Sequence, residues 1–445
     1  MTIKLPLLLI AIIVNSTFSY AQRMQKITYN EHLNRADSLL IHEGLLSQHS
    51  MRIRYKRNGK KVATISLSEP VLVAMAEREE RWGFFQFPCI GRASDGSLRI
   101  TWQMAVDSHK AYGKGSEREI YPYWSYDGGR TWKQEKRRVS VRTRGYNVCM
   151  SDGSYLQVYT PESKDIKSFR TFPQSLGVKD DRSFYREDSL PEELKGVYFA
   201  YTDAYGQSEI IHSSLNDQGL LRYSGENLMP IVWWGNIKQL ANKALVAGVY
   251  PAYYINEDRT LSNGGISFYS SHDKGKSWDI LGKIRYPIQG ELDVKGDFSE
   301  PAFEILKDST FICVMRTGST SPLYRSFSTD MGKTWTTPES FTPNGVMPSL
   351  MLLKNGILVL TSGRPGVQLR FSLDGIGREW TEPIDMISFM NTDGSYTRDV
   401  SCGYVSILET GRNSFIIVYS NFTTINKAGE RRKSIWCRNV VVKRK

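Results

Sequence analysis

The stretch SYDGGRTW at residues 125–132 returns as SHDKGKSW at 271–278 and as STDMGKTW at 328–335. A longer version, SLDGIGREW, covers residues 372–380. Each stretch follows residues typical of a strand and carries a serine, an aspartate, a glycine and a tryptophan in the same order. Such internal repetition indicates that one supersecondary unit is used several times along the chain.

The residue types in these repeats predict turns between strands. The side chains of Asp127, Asp273 and Asp330 can accept hydrogen bonds from the backbone N–H groups of a tight turn, and the glycines that follow tolerate a positive φ. The tryptophan at the end of each repeat supplies a large apolar anchor. We therefore predict that these aspartates hold turns and take no part in catalysis.

The spacing of the repeats predicts the architecture. Asp273 and Asp330 are 57 residues apart, and a degenerate repeat containing Asn216 lies 57 residues before Asp273. The interval from Asp127 to Asn216 is 89 residues, and that from Asp330 to Asp374 is 44. Units of this length, with about four short strands each, are typical of a β-propeller. A last unit without the repeat completes six blades.

The sequence predicts an all-β chain in three parts. Residues 1–21 contain one lysine, an apolar run and small residues before a cleavage site, which indicates a signal peptide and a secreted or periplasmic protein. We expect no membrane span. Residues 22–64 form a short N-terminal extension, and residues 65–445 form the propeller. The last unit, 398–445, is expected to close the ring, and a strand from the N-terminal part is a candidate to join it.

Two further segments carry local predictions. RIRYKRNGKKVATISL, residues 52–67, is typical of two strands around an Asn-Gly turn. Residues 161–195 are polar and charged, and we predict that they form a long loop bordering a binding site.

Composition limits the partners and cofactors. The net charge of +12 lies in short basic runs, which are either solvated faces or surfaces that attract an anionic sugar polymer. No nucleic-acid-binding motif is present, so we expect no nucleic-acid partner. The six histidines have no metal-ligand spacing, and we expect no metal and no cofactor. The five cysteines are expected to be buried thiols with at most one or two disulfides. We expect a monomer.

The repeat Ser-x-Asp-x-Gly-x-Thr/Ser-Trp resembles the Asp-box of the sialidase (neuraminidase) superfamily, whose fold is a six-bladed β-propeller. In that superfamily the boxes are structural and lie away from the active centre. The resemblance spans roughly residues 80–420. It implies a glycosidase, and the catalytic positions can be sought one at a time.

Four of those positions resemble the superfamily in the second half of the chain. FSEPAFEILKDSTFICVMRTGS matches at Glu300 and Arg316, with an alternating strand between them. TSGRPGVQLRFSLDGIG places Arg364 before the late repeat. SCGYVSILETGRNSF offers Tyr404, although Tyr146 and Tyr396 are competing candidates.

The early positions resemble the superfamily less completely. The stretch FFQFPCIGRASDGSLRITWQMAVDSHK places Asp107 where sialidases have a catalytic aspartate. Gln86 stands where they have the first of three arginines. His109, two residues after Asp107, is a candidate acid, base or substrate-binding residue.

The resemblance implies a role for each residue. Tyr404 is the nucleophile and Glu300 is its base, because a neutral nucleophile avoids repulsion with a carboxylate on the substrate. Asp107 protonates the leaving oxygen and then activates water. Arg316 and Arg364 bind the substrate carboxylate. Gln86 can donate a hydrogen bond there but supplies no charge, so the ligand is sialic acid or a related acidic sugar.

The predicted function is a retaining exo-glycosidase that removes a terminal acidic sugar from glycans. Two alternatives belong to other classes. One is a propeller that binds glycans without catalysis. The other is a polysaccharide lyase on uronic-acid glycans, in which His109 and a tyrosine transfer protons.

Overall fold

The computed structural model describes residues 49–57, 60–286, 297–319, 321–364, 366–387 and 400–445. In these ranges the chain is built from strands and contains no α-helix, which confirms the predicted all-β class. Four short 3₁₀ turns lie at His109–Ala111, Ile166–Ser168, Glu187–Ser189 and Glu192–Leu194. Nothing in the described part of the chain is long, helical and apolar enough to cross a membrane. The predicted signal peptide, residues 1–21, lies outside the described residues.

The first strands of the chain lead into the first repeated unit. The N-terminal strands are β1 (Met51–Arg57), β2 (Lys60–Leu67) and β3 (Val71–Met75). Unit 1 consists of β4 (Phe84–Ala93), β5 (Leu98–Met104), β6 (Tyr123–Ser125) and β7 (Lys133–Gln134), and β8 (Val141–Thr143) pairs with the other side of β4.

Unit 2 is interrupted by an inserted sheet. Its strands are β9 (Asn147–Cys149), β10 (Tyr155–Tyr159), β14 (Val197–Thr202) and β15 (Ser208–Asn216). The inserted sheet consists of β11 (Lys164–Asp165), β12 (Gly177–Lys179), β13 (Arg182–Arg186), β16 (Leu221–Gly225) and β17 (Leu228–Met229). Residues 161–195 therefore supply three strands of a sheet, and the prediction of a long loop is wrong. Their polar residues pair as strands because β16 provides a partner for β13.

Units 3 to 6 follow without interruption. Unit 3 is β18 (Trp234–Gln239), β19 (Leu245–Ala252), β20 (Gly265–Ser271) and β21 (Ser277–Ile284). Unit 4 is β22 (Ser299–Ile305), β23 (Phe311–Arg316), β24 (Leu323–Ser328) and β25 (Glu339–Ser340). Unit 5 is β26 (Val346–Leu352), β27 (Leu358–Gly363), β28 (Val367–Ser372) and β29 (Ile384–Ile387). Unit 6 is β30 (Val405–Gly411), β31 (Ser414–Ile425) and β32 (Arg431–Arg444).

The N-terminal strands complete unit 6. β2 pairs antiparallel with β32, with Leu67 opposite Val440, and β3 pairs further along β32, with Val71 opposite Cys437. This agrees with the expectation that a strand from the N-terminal part joins the last unit. Residue 65, where the predicted propeller begins, lies within β2.

The first strands of the units contact one another in chain order. β9 contacts β18, β18 contacts β22, β22 contacts β26, β26 contacts β30, and β30 contacts β4, while β8 bridges β4 and β9. The contacts therefore close a ring. The hydrophobic core lies between neighbouring units, for example where Phe199 of unit 2 meets Trp278 of unit 3, and where Phe268 of unit 3 meets Phe303 of unit 4. The number of propeller blades stays a prediction.

The repeated octapeptides form turns between the third and fourth strands of their units. In the turn after β20, Oδ1 of Asp273 accepts hydrogen bonds from the Ser271 hydroxyl at 2.8 Å and from the N–H groups of Lys276 and Ser277 at 3.0 Å. Gly275 has φ of 89° and donates its N–H to the Ser271 hydroxyl. Trp278 is fully buried. The prediction that these aspartates hold turns is confirmed.

The five cysteines all lie within the described residues and are all free thiols. Cys313, Cys402 and Cys437 are buried, as expected, whereas Cys149 is exposed. The prediction of buried thiols is therefore wrong for Cys149, which faces outward from the short strand β9.

We predict that Asp273→Ala lowers the free energy of unfolding by about 1–2 kcal/mol, because several turn hydrogen bonds lose their acceptor. Burial would raise the pKa of Asp273, but hydrogen bonds from Ser277, Ser271 and Lys276 outweigh it and lower the pKa. The stabilisation is therefore present above the ordinary aspartate pKa and is lost as the pH falls through the folded value. Denaturant unfolding at several pH values measures both effects.

The control for this experiment is Asp279→Ala in the next strand, since Asp279 accepts one hydrogen bond from Asn216 in place of several from a turn. We expect Asp279→Ala to change stability less than Asp273→Ala. Equal stability of Asp273→Ala and the unmodified protein at neutral pH would contradict the structural role of the turn.

Candidate functional site

A cavity of about 450 Å³ lies where the first strands of the six units meet. All six units contribute to its lining, through Phe87 and Asp107, Tyr146, Trp234, Pro301, Met347 and Tyr404. A larger cavity of about 850 Å³ lies beside β15 and β21, and none of the predicted site residues lines it. The central cavity is therefore the candidate site.

Irregular backbone re-aims the side chains around this cavity. Phe85, Phe87, Glu300 and Met347 all have positive φ, between 41° and 55°. Each lies at a shift of register in the first strand of its unit, namely β4, β22 or β26. Positive φ costs a non-glycine residue on the order of 1–3 kcal/mol, and bulges often redirect side chains at active sites. These four strained residues belong to first strands that meet around the cavity.

Glu300 is the centre of the site. Its side chain is 5% exposed, and Oε1 accepts hydrogen bonds from Arg316 Nη1 at 2.6 Å and from the Tyr404 hydroxyl. Its other oxygen, Oε2, accepts the backbone N–H of Met347 at 2.7 Å. Both carboxylate oxygens of Glu300 thus have donors, and the donors come from units 4, 5 and 6.

The charges of this group influence one another. Burial raises the pKa of Tyr404 well above its usual range, and the charge of Glu300 raises it further, while Arg316 lowers it. Burial lowers the pKa of Arg316, but the charges of Glu300 and Tyr404 and the hydrogen bond to Glu300 together outweigh burial, so the net change is upward. In the resting protein, Tyr404 is therefore protonated and donates its proton towards Glu300.

Arg364 joins the same group through a shared serine. Arg316 Nη2 and Arg364 Nη1 both donate to the Ser319 hydroxyl, at 3.1 and 3.2 Å. The Arg364 guanidinium also lies over the ring of Trp82, 5.9 Å from its centroid. The two arginines predicted to bind a carboxylate are therefore brought together at one side of the site.

Asp107 lines the same cavity as Tyr404. It is exposed at the bend that follows β5, and Oδ2 of its carboxylate accepts a hydrogen bond from Trp82 Nε1 at 3.1 Å. Trp82 therefore contacts both Asp107 and Arg364, and it connects the aspartate of unit 1 to the arginine of unit 5.

Gln86 lies elsewhere. Its side chain is fully buried and does not line the cavity, and neither do Glu300, Arg316 and Arg364, so its contact with a substrate stays a prediction. The irregular register of β4 turns Phe87 towards the cavity and Gln86 away from it. With its amide oriented to satisfy its neighbours, Gln86 accepts hydrogen bonds from Gly83 N at 3.3 Å and from Lys433 Nζ at 3.2 Å.

Two other predicted residues fall where the structure gives no side-chain description. His109 begins the 3₁₀ turn after Asp107, but its side chain lies outside the described part of the structure. Tyr396 lies outside the described residues altogether. Tyr146, the other competitor of Tyr404, lines the cavity and donates its hydroxyl to Met347 Sδ at 3.7 Å.

Sequence reasoning missed Trp82 and Ser319. Ser319 follows Arg316 by three residues in RTGSTS, so a hydroxyl near the arginine could have been proposed from the sequence. Trp82 lies in the segment before β4 and has no distinguishing pattern around it. Only the folded chain shows that its indole N–H reaches Asp107.

Comparison with known proteins shows that the fold of this chain is similar to that of a solved structure. No profile of a known protein family matches the chain, and no curated protein matches it. The chain is similar to the crystal structure of a protein of unknown function from Dyadobacter fermentans DSM 18053, at 16% identity and a TM-score of 0.55. The similarity covers 85% of this chain and 99% of that chain. It shows a shared fold.

Two weaker likenesses involve enzymes. A Hadza microbial sialidase has 15% identity and a TM-score of 0.47 over 86% of this chain and 73% of its own. An α-L-arabinanase from Penicillium chrysogenum, complexed with arabinobiose, has 14% identity and a TM-score of 0.48 over 83% of this chain and 98% of its own.

We predict that Glu300→Gln lowers the pKa of Tyr404 towards its usual range, because the substitution removes the negative charge that disfavours tyrosinate. The pKa is measured by NMR titration of protein labelled with ¹³Cζ-tyrosine, and Tyr404→Phe assigns the signal. Glu304→Gln is a matched control, since Glu304 is a second buried glutamate of β22 and pairs with Lys238 at 2.8 Å. An unchanged Tyr404 titration in Glu300→Gln would show that the two groups are not coupled.

Proposed function

We propose that this chain is a retaining exo-glycosidase on a six-bladed β-propeller, and that it removes a terminal acidic sugar from glycans. The observation that supports the proposal most is the hydrogen bond from Tyr404 to the buried, arginine-bound carboxylate of Glu300. A buried tyrosine hydroxyl with a carboxylate partner, in a cavity at the centre of the ring, has the parts of an activated nucleophile.

The proposed first step forms a bond between Tyr404 Oη and the anomeric carbon. The hydroxyl proton passes to Glu300 as the bond forms, which overcomes the high pKa of Tyr404 in the resting protein. A carboxylate nucleophile would be repelled by a carboxylate on the sugar, whereas a tyrosine is neutral until it reacts. Arg316 stabilises the charge of Glu300 before the proton arrives.

Asp107 supplies the proton to the leaving oxygen in the same step. In the second step its carboxylate takes a proton from water, the water oxygen bonds to the anomeric carbon, and the bond to Tyr404 breaks. The Tyr404 oxygen then recovers its proton from Glu300. Asp107 is suited to both steps because it is exposed to water and lines the cavity beside Tyr404.

Arg316 and Arg364 are the proposed partners of the sugar carboxylate. Both guanidinium groups point at Ser319, so their donors converge within one region at the side of Tyr404. Charge-assisted bonds from guanidinium to carboxylate are strong and directional. With Gln86 buried, the proposed clamp has these two arginines, and the ligand is sialic acid or a related acidic sugar.

We further propose that the protein is exported to the periplasm or the medium, where residues 1–21 have been removed. We expect it to act there as a monomer. An exported glycosidase meets polymeric glycans outside the cell, where an acidic sugar at a chain end is accessible. The basic net charge of +12 favours association with such polymers.

A panel of 4-methylumbelliferyl glycosides tests the proposed activity. We expect release of the fluorophore from the glycoside of sialic acid, a related keto-sugar acid or a uronic acid, and none from neutral sugars. Tyr404→Phe should reduce kcat at least about a thousandfold, because the nucleophile is lost. Tyr146→Phe is the control, since this tyrosine also lines the cavity but is not hydrogen-bonded to Glu300.

Three results would contradict the proposal. Binding of acidic sugars without any hydrolysis would favour a glycan-binding propeller. A product absorbing in the ultraviolet would indicate a lyase. Equal losses in Tyr404→Phe and Tyr146→Phe would remove Tyr404 from the role of nucleophile.

Asp107→Ala tests the acid. We expect it to slow natural glycosides by about a hundredfold to ten thousandfold, and activated aryl glycosides much less, because an activated phenol departs with little protonation. The measurement is kcat/KM for a series of leaving groups of different pKa. A uniform loss across the series would contradict the role of Asp107 as an acid.

A further inference from the structure

Trp82 lies between the proposed acid and one of the two proposed arginines. Its indole Nε1 donates a hydrogen bond to Asp107 Oδ2 at 3.1 Å, and the guanidinium of Arg364 lies over its ring, 5.9 Å from the centroid. The ring of Phe422 meets it edge-on at a centroid distance of 6.4 Å. The indole therefore has three separate partners, although Trp82 is 45% exposed. The proposed steps give it no role.

The backbone beside Trp82 packs against the backbone of Asp107. Gly83 follows Trp82 with φ of 94°, a conformation that favours glycine. A Cβ at this position would collide with Ala105 O and would lie 2.8 Å from Asp107 N. The segment that leads into β4 therefore runs directly against the residues that follow β5, and it places the indole beside the carboxylate of Asp107.

Glu117 joins the same two segments a second time. One of its carboxylate oxygens forms an ion pair with Arg81, and the other accepts the backbone N–H of Val106 at 2.8 Å. Arg81 and Val106 are the residues immediately before Trp82 and Asp107. The donor and the acceptor of the hydrogen bond between Trp82 and Asp107 are therefore each held by the residue that precedes them.

The indole hydrogen bond distinguishes the two oxygens of the Asp107 carboxyl group. An indole N–H only donates, and a protonated carboxyl group carries one O–H while its other oxygen accepts. Since Oδ2 accepts from Trp82, the protonated form of Asp107 is favoured with its proton on Oδ1. Within the described residues Oδ1 accepts no hydrogen bond, and Asp107 lines the cavity. Oδ1 is therefore the oxygen that is available to a substrate.

We propose that Trp82 is a positioning residue, which holds Asp107 so that Oδ1 is the oxygen that transfers the proton; this rests on the proposed function. In the first step the O–H bond at Oδ1 breaks as the leaving oxygen gains the proton, and Asp107 becomes a carboxylate. In the second step Oδ1 gains a proton from the water that bonds to the anomeric carbon. The indole N–H stays on Oδ2 and binds the carboxylate more strongly than the neutral acid, so it stabilises the charge that develops.

Trp82→Phe tests this role, because it removes the N–H and keeps an aromatic ring beside Arg364. We expect it to lower kcat/KM for 3′-sialyllactose by about tenfold, since the developing carboxylate loses a hydrogen bond. The activated 4-nitrophenyl α-sialoside should change by less than about twofold, because a nitrophenol departs with little protonation. In the Asp107→Ala background, Trp82→Phe should have no further effect on sialyllactose.

Trp335→Phe is the matched control. Trp335 Nε1 also donates one hydrogen bond, to Gly332 O at 3.0 Å, but it lies in a turn that does not line the cavity. This variant should leave kcat/KM for both sialosides unchanged. Equal losses on the two sialosides in Trp82→Phe would overturn the positioning role, since the residue would then act on the fold or on the acidic sugar. An unchanged kcat/KM for sialyllactose in Trp82→Phe would overturn it as well.

The ¹H–¹⁵N NMR signal of the Trp82 indole separates this proposal from the proposed function, because it requires no turnover. Trp82→Phe assigns the signal, and we expect Asp107→Ala to move it upfield while Asp279→Ala leaves it unchanged. If the signal moves in this way and the protein cleaves no acidic glycoside, the positioning of Asp107 stands and the glycosidase assignment falls. If the protein cleaves sialyllactose and Asp107→Ala leaves the indole signal in place, the glycosidase assignment stands and the positioning role falls.

Discussion

The buried carboxylate of Glu300 is the interaction on which the site depends. An isolated carboxylate in a site that is 5% exposed would be strongly unfavourable, so it requires donors on both oxygens. Those donors are the guanidinium of Arg316, the hydroxyl of Tyr404 and the backbone N–H of Met347. Since Met347 and Tyr404 belong to units 5 and 6, the carboxylate is satisfied only when these two units pack against unit 4. The hydrogen bonds that stabilise the buried carboxylate are therefore the same ones that position Arg316 and Tyr404 around it.

The chain separates the aspartates that hold its shape from the aspartate that faces the cavity. Asp127, Asp273 and Asp330 are surrounded by serine and threonine hydroxyls and by backbone N–H groups of their own turns. Asp107 has one described donor, the indole of Trp82, and otherwise faces the cavity. The carboxylate oxygens of the turn aspartates already accept hydrogen bonds within their own turns, so they are not available for proton transfer to a ligand. The second oxygen of Asp107, by contrast, remains accessible to a ligand.

The sequence predicted correctly those features that depend on contacts between residues close together in the chain. The repeats predicted the turns because serine, aspartate and glycine make those hydrogen bonds within five residues of one another. Glu300, Arg316 and Tyr404 could be singled out by resemblance, and the structure brings them within hydrogen-bonding distance. The orientation of Gln86 could not be predicted, because a register shift in β4 reverses which face a side chain occupies. The inserted sheet was not predicted because its strands β13 and β16, which pair with each other, are separated in the sequence by strands of unit 2.

The burial of Gln86 has a physical consequence for the charges of unit 6. Lys433 of β32 donates to the Arg81 carbonyl at 2.7 Å and lies over the ring of Phe422, and burial lowers its pKa. A neutral amide at position 86 gives this half-buried ammonium an acceptor, whereas a guanidinium there would place a second cation beside it. Glutamine at this position is therefore consistent with its neighbours.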